Sequence, residues 1–575
     1  MHSSRPRTGT AARLIVIIGI ALTAVSVACR PSPDASAPAR IDALFAEWNR
    51  PDSPGCGVGV SRDGAIVFER GYGMANVERR IPITPATVFD VASISKPFTA
   101  MSIMLLASQG RLRLDDEVWT HVPGWVNRAD RITIRHLLAH TAGLRDVFLL
   151  TELRPPPRAD TNINEHLQGI LARQRGVNFP PGREFSYNNG GYNLLAGIVG
   201  RVSGVPFPAF VEAQIFTPLG MTRSMFRGQP GVVHPDQAVG YHQDEQGVRI
   251  AREGEADTSA IIGNSGLSTT VGDLLRWMQN FAEPRVGDRA HLAEMETPVA
   301  LPGGGTSPYG LGLEVGTDRG LETVGHGGGD RGIATYVIRY PERGVASAVL
   351  CNLDNVGSAV GALARQVAAV YLPALAEEPG GTPQVPPPVA LTPDELASKA
   401  GLYRDPATDT FGRVYVRDGR LMASADAGDG PGDSVELTPI DRNRFIVPHT
   451  PIVANFAPAS GTRPQEVHVS GIGPQPAISH RVDTGFAPSS SELRAFAGTY
   501  ANPDLDVRYT LVAAASGLLI RIPSRADIPL QPIFPDAFYG SLVDLIRFSR
   551  DERRTVTGFT INRTSVRNLR FDRIP

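Results

Sequence analysis

The chain has 575 residues, of which 42% are hydrophobic and 20% charged, with a formal net charge of −2. At roughly 150 residues per domain, that length suggests three or four globular domains. The near-neutral charge gives no support for nucleic acid or an anionic surface as partner, and three cysteines are too few for a disulfide framework or a zinc site.

The first segment reads as an export signal over residues 1–28. Arg5, Arg7 and Arg13 precede an apolar or small run from Leu14 to Ala28, too short for a comfortable membrane span and right for a signal peptide. It ends Val25-Ser26-Val27-Ala28-Cys29, which resembles a bacterial lipobox in which the cysteine is lipidated and becomes the mature N-terminus. Ser26 departs from the aliphatic residue usual there, and simple secretion is the alternative. The expected location is therefore periplasmic or membrane-anchored as a lipoprotein, with membrane contact only through that lipid. Residues 29–40 have the Pro/Ser/Ala composition of a tether.

Residues 41–375 read as one α+β unit. Two apolar runs around Asp63-Gly64 predict a hairpin, and 334–340 with 345–350 predict a second one at the far end. Val360 to Leu372 predicts a terminal helix. Strands at both ends with helices between imply an antiparallel sheet whose first and last strands meet. Cys56 and Cys351 both fall in strand-like runs. A disulfide in an oxidising compartment and two buried free thiols both remain open. Residues 376–390 form a Pro/Gly-rich linker. Beyond it, a faint repeat sets Glu395-Leu396 and Gly401-Leu402-Tyr403 against Glu492-Leu493 and Gly498-Thr499-Tyr500. It predicts two related all-β domains, 391–485 and 490–575, built as small barrels. No residue cluster in them suggests chemistry.

Chemistry is concentrated at Ser93-Ile94-Ser95-Lys96. A serine hydroxyl needs a base beside it to act as a nucleophile, and i, i+3 spacing on a helix supplies one. Ile94, Phe98, Met101 and Leu105 form an apolar stripe, Gly110 is a stop, and Pro97 is at home only in a first turn. That places Ser93 at a helix N-terminus. Three further segments matter. Tyr187, in Tyr187-Asn188-Asn189, carries a phenol able to shuttle a proton beside a cation. His326, in His326-Gly327-Gly328-Gly329, lies on a glycine-rich run that admits a substrate backbone and supplies a donor or a positive charge. His136 and His140 have i, i+4 spacing, but without the carboxylate of a His-Glu-x-x-His motif they do not support a metal site. The glycines from 325 to 332 lack the Gly-Lys-Ser/Thr of a nucleotide loop.

In this order, the segments resemble the penicillin-recognising serine hydrolases: class C β-lactamases, D,D-carboxypeptidases, D-aminopeptidases and family VIII esterases. Other marks of the resemblance are residues 110–116, His136 to Leu144, 266–269 with Asp273, and Tyr309-Gly310-Leu311-Gly312. The resemblance implies a β-lactamase/transpeptidase-like fold, with an antiparallel sheet flanked by helices and a mostly helical second lobe. It implies Ser93 as the acylated nucleophile, Lys96 as keeper of its proton balance, and Tyr187 as general base to Ser93 and acid to the leaving group. It implies Asn189, Gly327 and Gly328 as substrate-binding residues, the backbone N–H groups of Ser93 and Gly329 as the oxyanion hole, and no cofactor. Asp115 and Asp116 are expected to be structural. His326 stands where β-lactamases of this family usually carry Lys. A substrate carboxylate would be held less firmly there, which favours an esterase, amidase or D-amino-acid peptidase over a dedicated β-lactamase. The function expected is an exported serine hydrolase acting on a small ester, amide or D-amino-acid peptide. Alternatives are a cell-wall D,D-peptidase or D-aminopeptidase and, in another class, a non-catalytic penicillin-binding-like module that holds peptidoglycan or a partner. The intact Ser, Lys, Tyr and His set argues against the last.

Overall fold

The computed structural model describes residues 36–575, apart from 159–160, 229–233, 245–246, 251–260, 303, 358, 373–388, 425–433, 449–451, 461–464, 472–475 and 484. The signal segment, Cys29 and most of the 376–390 linker lie outside the described residues.

A six-stranded antiparallel sheet carries the first unit: β1 (Cys56–Arg62), β2 (Ala65–Tyr72), β3 (Glu314–Asp318), β4 (Leu321–Asp330), β5 (Ile333–Tyr340) and β6 (Val345–Cys351). Its order is β3-β4-β5-β6-β1-β2, so the first and last strands of the unit pair at the sheet centre. Their register sets Cys56 opposite Cys351. The structure joins the two as a disulfide, with Cα atoms 4.0 Å apart. All seven residues of β6 are buried, as expected of a strand covered on both faces.

Helices supply the covers. On one face lie α1 (Ala37–Leu44) and α5 (Ala359–Ala369), with Ile41, Phe45, Val360 and Ala364 packed against Val58, Tyr72 and Val349. The start of α1 falls within residues 29–40, the segment expected as a tether. Pro38 sits in the first turn of α1, where its missing N–H costs nothing. Asp42, on the same helix, accepts the Tyr72 hydroxyl at 2.8 Å. On the other face, α4 (Val271–Gln279) packs on β1 and begins the core of the helical lobe. That lobe is built on α2 (Lys96–Ser108) and α3 (Asn189–Ser203). Ten of the thirteen α2 residues are buried, and Phe98 meets Trp277 at 4.4 Å between ring centroids. Gly110 follows with φ of +68°, the left-handed stop expected of it.

Two closed eight-stranded barrels follow, one running from Gly401 to Arg481 and the other from Gly498 to Ile574. The faint repeat now has a physical meaning. Each barrel is entered through a capping box, Thr392 with Glu395 in the first and Ser489 with Glu492 in the second. Each then closes that entry with a buried tyrosine bonded four residues back, Tyr403 to the Lys399 carbonyl and Tyr500 to the Phe496 carbonyl, both at 2.8 Å.

The second barrel is docked on the hydrolase unit. The Tyr509 hydroxyl donates to the Leu153 carbonyl. Its last hairpin turn is gripped by Asn178, which donates to the Ser565 carbonyl at 3.0 Å and accepts the Arg567 N–H at 2.7 Å. Arg145 adds a bond to the Arg567 carbonyl at 3.1 Å.

Cys56 and Cys351 are 295 residues apart, and tying two such positions restricts the unfolded chain. Cys351→Ala is expected to cost about 2–4 kcal/mol, read as a lower denaturant midpoint than the wild type under oxidising conditions. Equal midpoints would show that the pairing contributes nothing.

Candidate active site

Ser93 lies on a 3₁₀ turn, Ala92–Ser95, that runs straight into α2. The turn is strained and held. Ala92 has φ of +45°, a conformation that a Cβ disfavours. Its N–H donates to Asp90 Oδ1 at 2.9 Å. Asp90 is in turn ion-paired with Arg227, and both side chains are largely enclosed. Ser95 adds a second tie, donating to the Ala92 carbonyl at 2.7 Å and accepting the Leu267 N–H at 3.1 Å.

Lys96 is fully buried and reaches three oxygens: Ser93 Oγ at 2.9 Å, Asn189 Oδ1 at 2.8 Å and the Asn264 carbonyl at 3.0 Å. The last two can only accept. Burial drives the Lys96 pKa well below the ordinary lysine value, only partly opposed by Glu314 and Asp146. In the neutral amine, two N–H bonds satisfy the two obligate acceptors, and the lone pair is left for the Ser93 hydroxyl.

Tyr187 comes from the loop ahead of α3. Its ring lies 4.7 Å from Lys96 Nζ, and Ser93 acts on its hydroxyl as a neighbouring hydrogen-bonding group. The residue is 37% exposed, so the ring opens onto the cleft while the hydroxyl end is enclosed. Enclosure pushes the phenol well above its usual pKa, and the Ser93 bond offsets this only in part. Tyr187 therefore stays protonated at neutral pH.

His140 shapes this corner. It is buried with φ of +57°, and its Nδ1 accepts the Asn188 N–H at 3.0 Å. Its ring centroid lies 4.3 Å from that of Tyr187. Burial pushes its pKa far down, so the ring is a neutral prop. His136 turns away into its own capping box with Thr133. No group of metal-ligating side chains occurs among the described residues. Asn188 caps α3 through the Gly191 N–H at 2.9 Å. Asp115 and Asp116 serve locally, the one against Arg135 at 3.2 Å and the other accepting the Arg113 N–H at 2.8 Å.

His326 differs from expectation. It is 1% exposed. Nδ1 faces the Gly327 carbonyl at 2.6 Å and must donate to it, so Nε2 accepts the Tyr309 hydroxyl at 2.8 Å. Burial lowers its pKa, opposed in part by the Glu314 carboxylate. The ring is thus a neutral support beneath the cleft with both nitrogens committed, and it offers a substrate no positive charge.

The glycine run forms the cleft edge. The β3–β4 ladder ends at the Glu314–Gly325 pair, whereas the β4–β5 ladder continues to Asp330. From residue 326 onward, one edge of β4 therefore has no β3 partner. The Gly327 N–H points to this edge, where Glu314 Oε1 accepts it at 3.2 Å. Strand alternation turns the Gly329 N–H the same way. A Cβ on Gly328 would sit 2.2 Å from the Val91 carbonyl oxygen, so only glycine lets β4 lie against the turn that carries Ser93. Sequence reasoning missed the Asn264 carbonyl, the Asp90–Arg227 brace and the roles of Tyr309 and Glu314. Tyr309 belonged to a recognised motif, but the others carry no local signal.

This combination of sheet, helical lobe and Ser–Lys–Tyr cluster defines a β-lactamase-type serine hydrolase. The beta-lactamase family model matches residues 41–372, and the chain belongs to that family. The chain is similar to a D-aminopeptidase of Gluconobacter oxydans, 29% identical over 61% of this chain and 64% of the relative. It is also similar to penicillin-binding protein 4* of Bacillus subtilis, 30% identical over 52% of this chain and 67% of the relative. The match thus spans less than two thirds of the D-aminopeptidase. The octameric penicillin-binding protein homologue of Pyrococcus abyssi superposes with a TM-score of 0.54 at 24% identity, covering 77% of this chain and 99% of that one. A D-amino acid amidase of Ochrobactrum anthropi does so with 0.51 at 22%, covering 59% and 99%. These two likenesses concern the fold.

Gly328→Ala is expected to push β4 off the Ser93 turn and cost about 10²-fold in kcat/KM, with the circular dichroism spectrum unchanged. Wild-type kinetics in that variant would remove the close-approach argument.

Proposed function

We propose that this chain is an exported hydrolase that cleaves an ester or amide through an acyl-serine, with D-amino-acid amides or short peptides as its substrate class. The observation that carries the chemistry is the buried Lys96 amine, 2.9 Å from Ser93 Oγ and bonded to two oxygens that can only accept, an arrangement in which a neutral amine turns its lone pair to Ser93. In acylation, the Ser93 proton passes to Lys96 Nζ as Oγ attacks the substrate carbonyl carbon. The oxyanion is received by the Ser93 and Gly329 N–H groups, two fixed donors of the kind worth about 10²–10³ each in turnover. As the carbon–leaving-group bond breaks, the Tyr187 phenol gives its proton to the departing nitrogen or oxygen. Lys96 then returns the serine proton to the phenol. Water enters against the ester by the same path in reverse, restoring Ser93. Asn189 holds Lys96 through Oδ1, and its amide NH₂ remains available to a substrate oxygen. Gly327 and Gly328 belong to the strand along which the substrate lies.

The substrate class rests on the similarity to D-aminopeptidases, taken together with the uncharged His326 where a carboxylate-binding cation would otherwise stand. A D,D-peptidase, which must hold a terminal carboxylate, fits this cleft less well. A non-catalytic binding module gives no reason for a buried lysine held against a serine. Export is supported by the 1–28 segment and by the Cys56–Cys351 pairing, which persists in oxidising compartments. The lipobox-like Cys29 favours a lipid anchor on the outer side of a membrane. Loss of palmitate labelling in Cys29→Ala is the expected outcome, and labelling that survives would rule the anchor out.

A fluorophosphonate probe followed by peptide sequencing tests the nucleophile. Label is expected on Ser93 and absent from Ser93→Ala; label on any other residue would overturn the assignment. The pH profile tests the base. A lowered Lys96 pKa means that the free amine persists to lower pH than in an ordinary lysine and is lost as pH falls through that lowered value. kcat/KM should therefore rise along an acidic limb set well below the usual lysine value of about 10.4 and then stay flat into alkaline solution, because Tyr187 is pushed upward. An activity that only begins to rise near pH 10 would refute the neutral-lysine mechanism.

A further inference from the structure

We propose that Glu314 sets the charge that this cleft accepts, turning away substrates that carry a carboxylate along the β4 edge and admitting neutral or cationic ones. The proposal rests on the acyl-serine reading above and adds the charge class of the substrate.

Glu314 is the last β3 residue paired to β4, so its side chain stands where the open edge begins. Its carboxylate is fixed at both ends. Oε1 accepts the Gly327 N–H at 3.2 Å, and Oε2 accepts the Tyr336 hydroxyl at 2.8 Å. The side chain is nevertheless 40% exposed. Residues two apart in a strand lie about 7 Å from each other, so the anion stands about that far from the Gly329 N–H. A substrate with its carbonyl oxygen at Gly329 and its chain running along β4 toward Gly327 meets this carboxylate.

Glu314 forms no ion pair with an Arg or Lys among the described residues. Arg365 is committed to Tyr336, with its guanidinium 5.3 Å from the ring centroid and 3.4 Å from the hydroxyl. Among the described residues, the one ionisable nitrogen at ion-pair distance is His326 Nδ1, at 3.9 Å, and that ring is neutral with its proton given to the Gly327 carbonyl. The Glu314 charge also acts on Lys96, Tyr187, Tyr309 and His326, so its field spans the catalytic group. A position that would otherwise offer a backbone N–H to a substrate anion is occupied by an anion of the protein.

The test uses the full-length protein and two esters that differ by one group: 4-nitrophenyl acetate and its analogue with a carboxylate on the nitrophenyl ring. The readout is the ratio of their kcat/KM values, which does not depend on how much enzyme is folded. The wild type is expected to prefer the uncharged ester. Glu314→Gln, which keeps the shape and can still accept the Gly327 N–H, should shift the ratio toward the charged ester by about 10-fold. About 0.5 M salt should narrow the wild-type preference and leave that of the variant unchanged. Equal losses on both esters, with the ratio unmoved, would show that Glu314 merely braces the strand and would overturn the proposal. Ser93 labelling is read separately, so failure of the acyl-serine reading and failure of this one are distinguishable.

Discussion

A primary amine without contact with water is the constraint around which this enzyme is arranged. Lys96 is inside the helical lobe, and its charge is unfavourable there. Two oxygens that cannot donate meet two of its protons, and a serine hydroxyl meets the remaining position. Three separate parts of the chain must converge to make that pocket: the turn before α2, the first residue of α3 and the carbonyl of Asn264. The fold supplies this convergence by packing α2 against α3 and laying the 261–269 segment across both. Once the amine is enclosed, its basicity falls and it becomes useful at neutral pH. Tyr187 is shaped by the same enclosure in the opposite sense, since burial raises the pKa of an acid and lowers that of a base. One dry pocket thus lowers the pKa of an amine and raises that of a phenol beside the same serine.

The strand that completes the cleft obeys a different rule. β4 must come close enough to the serine turn to present backbone N–H groups, and a side chain at position 328 would prevent it. It must also leave an edge unpaired, which β3 achieves by ending at Glu314. His326 and Tyr309 then fill the space beneath as a mutually bonded neutral pair. Glu314 places a carboxylate at the open edge of the site.

The second barrel bears on this site through the contact of its last hairpin. The last hairpin of the second barrel is gripped by Asn178 and Arg145, on the segments that lead from His140 to Tyr187. Asn188, beside Tyr187, is bonded to the Leu144 carbonyl at 2.9 Å, one residue from Arg145. The barrel therefore buttresses the loop that carries the phenol, although none of its side chains is among the groups assigned to the reaction.

Much of this was legible from local pattern. The terminal hairpins, the α2 stripe with its Gly110 stop, the Ser93–Lys96 spacing and the repeated barrel entries are short-range features. Periodicity, capping and turn chemistry act within a few residues, so a linear reading recovers them. The pairing of Cys56 with Cys351 had to wait for strand register. What the sequence could not disclose was the electrostatic state of each group. The charge on His326, the direction of proton flow between Lys96 and Tyr187, and the presence of Glu314 at the cleft edge depend on burial and on partners far away along the chain. The order of residues determined which groups would be available; tertiary packing decided their protonation, because desolvation is a property of the space around a side chain and not of its neighbours in sequence.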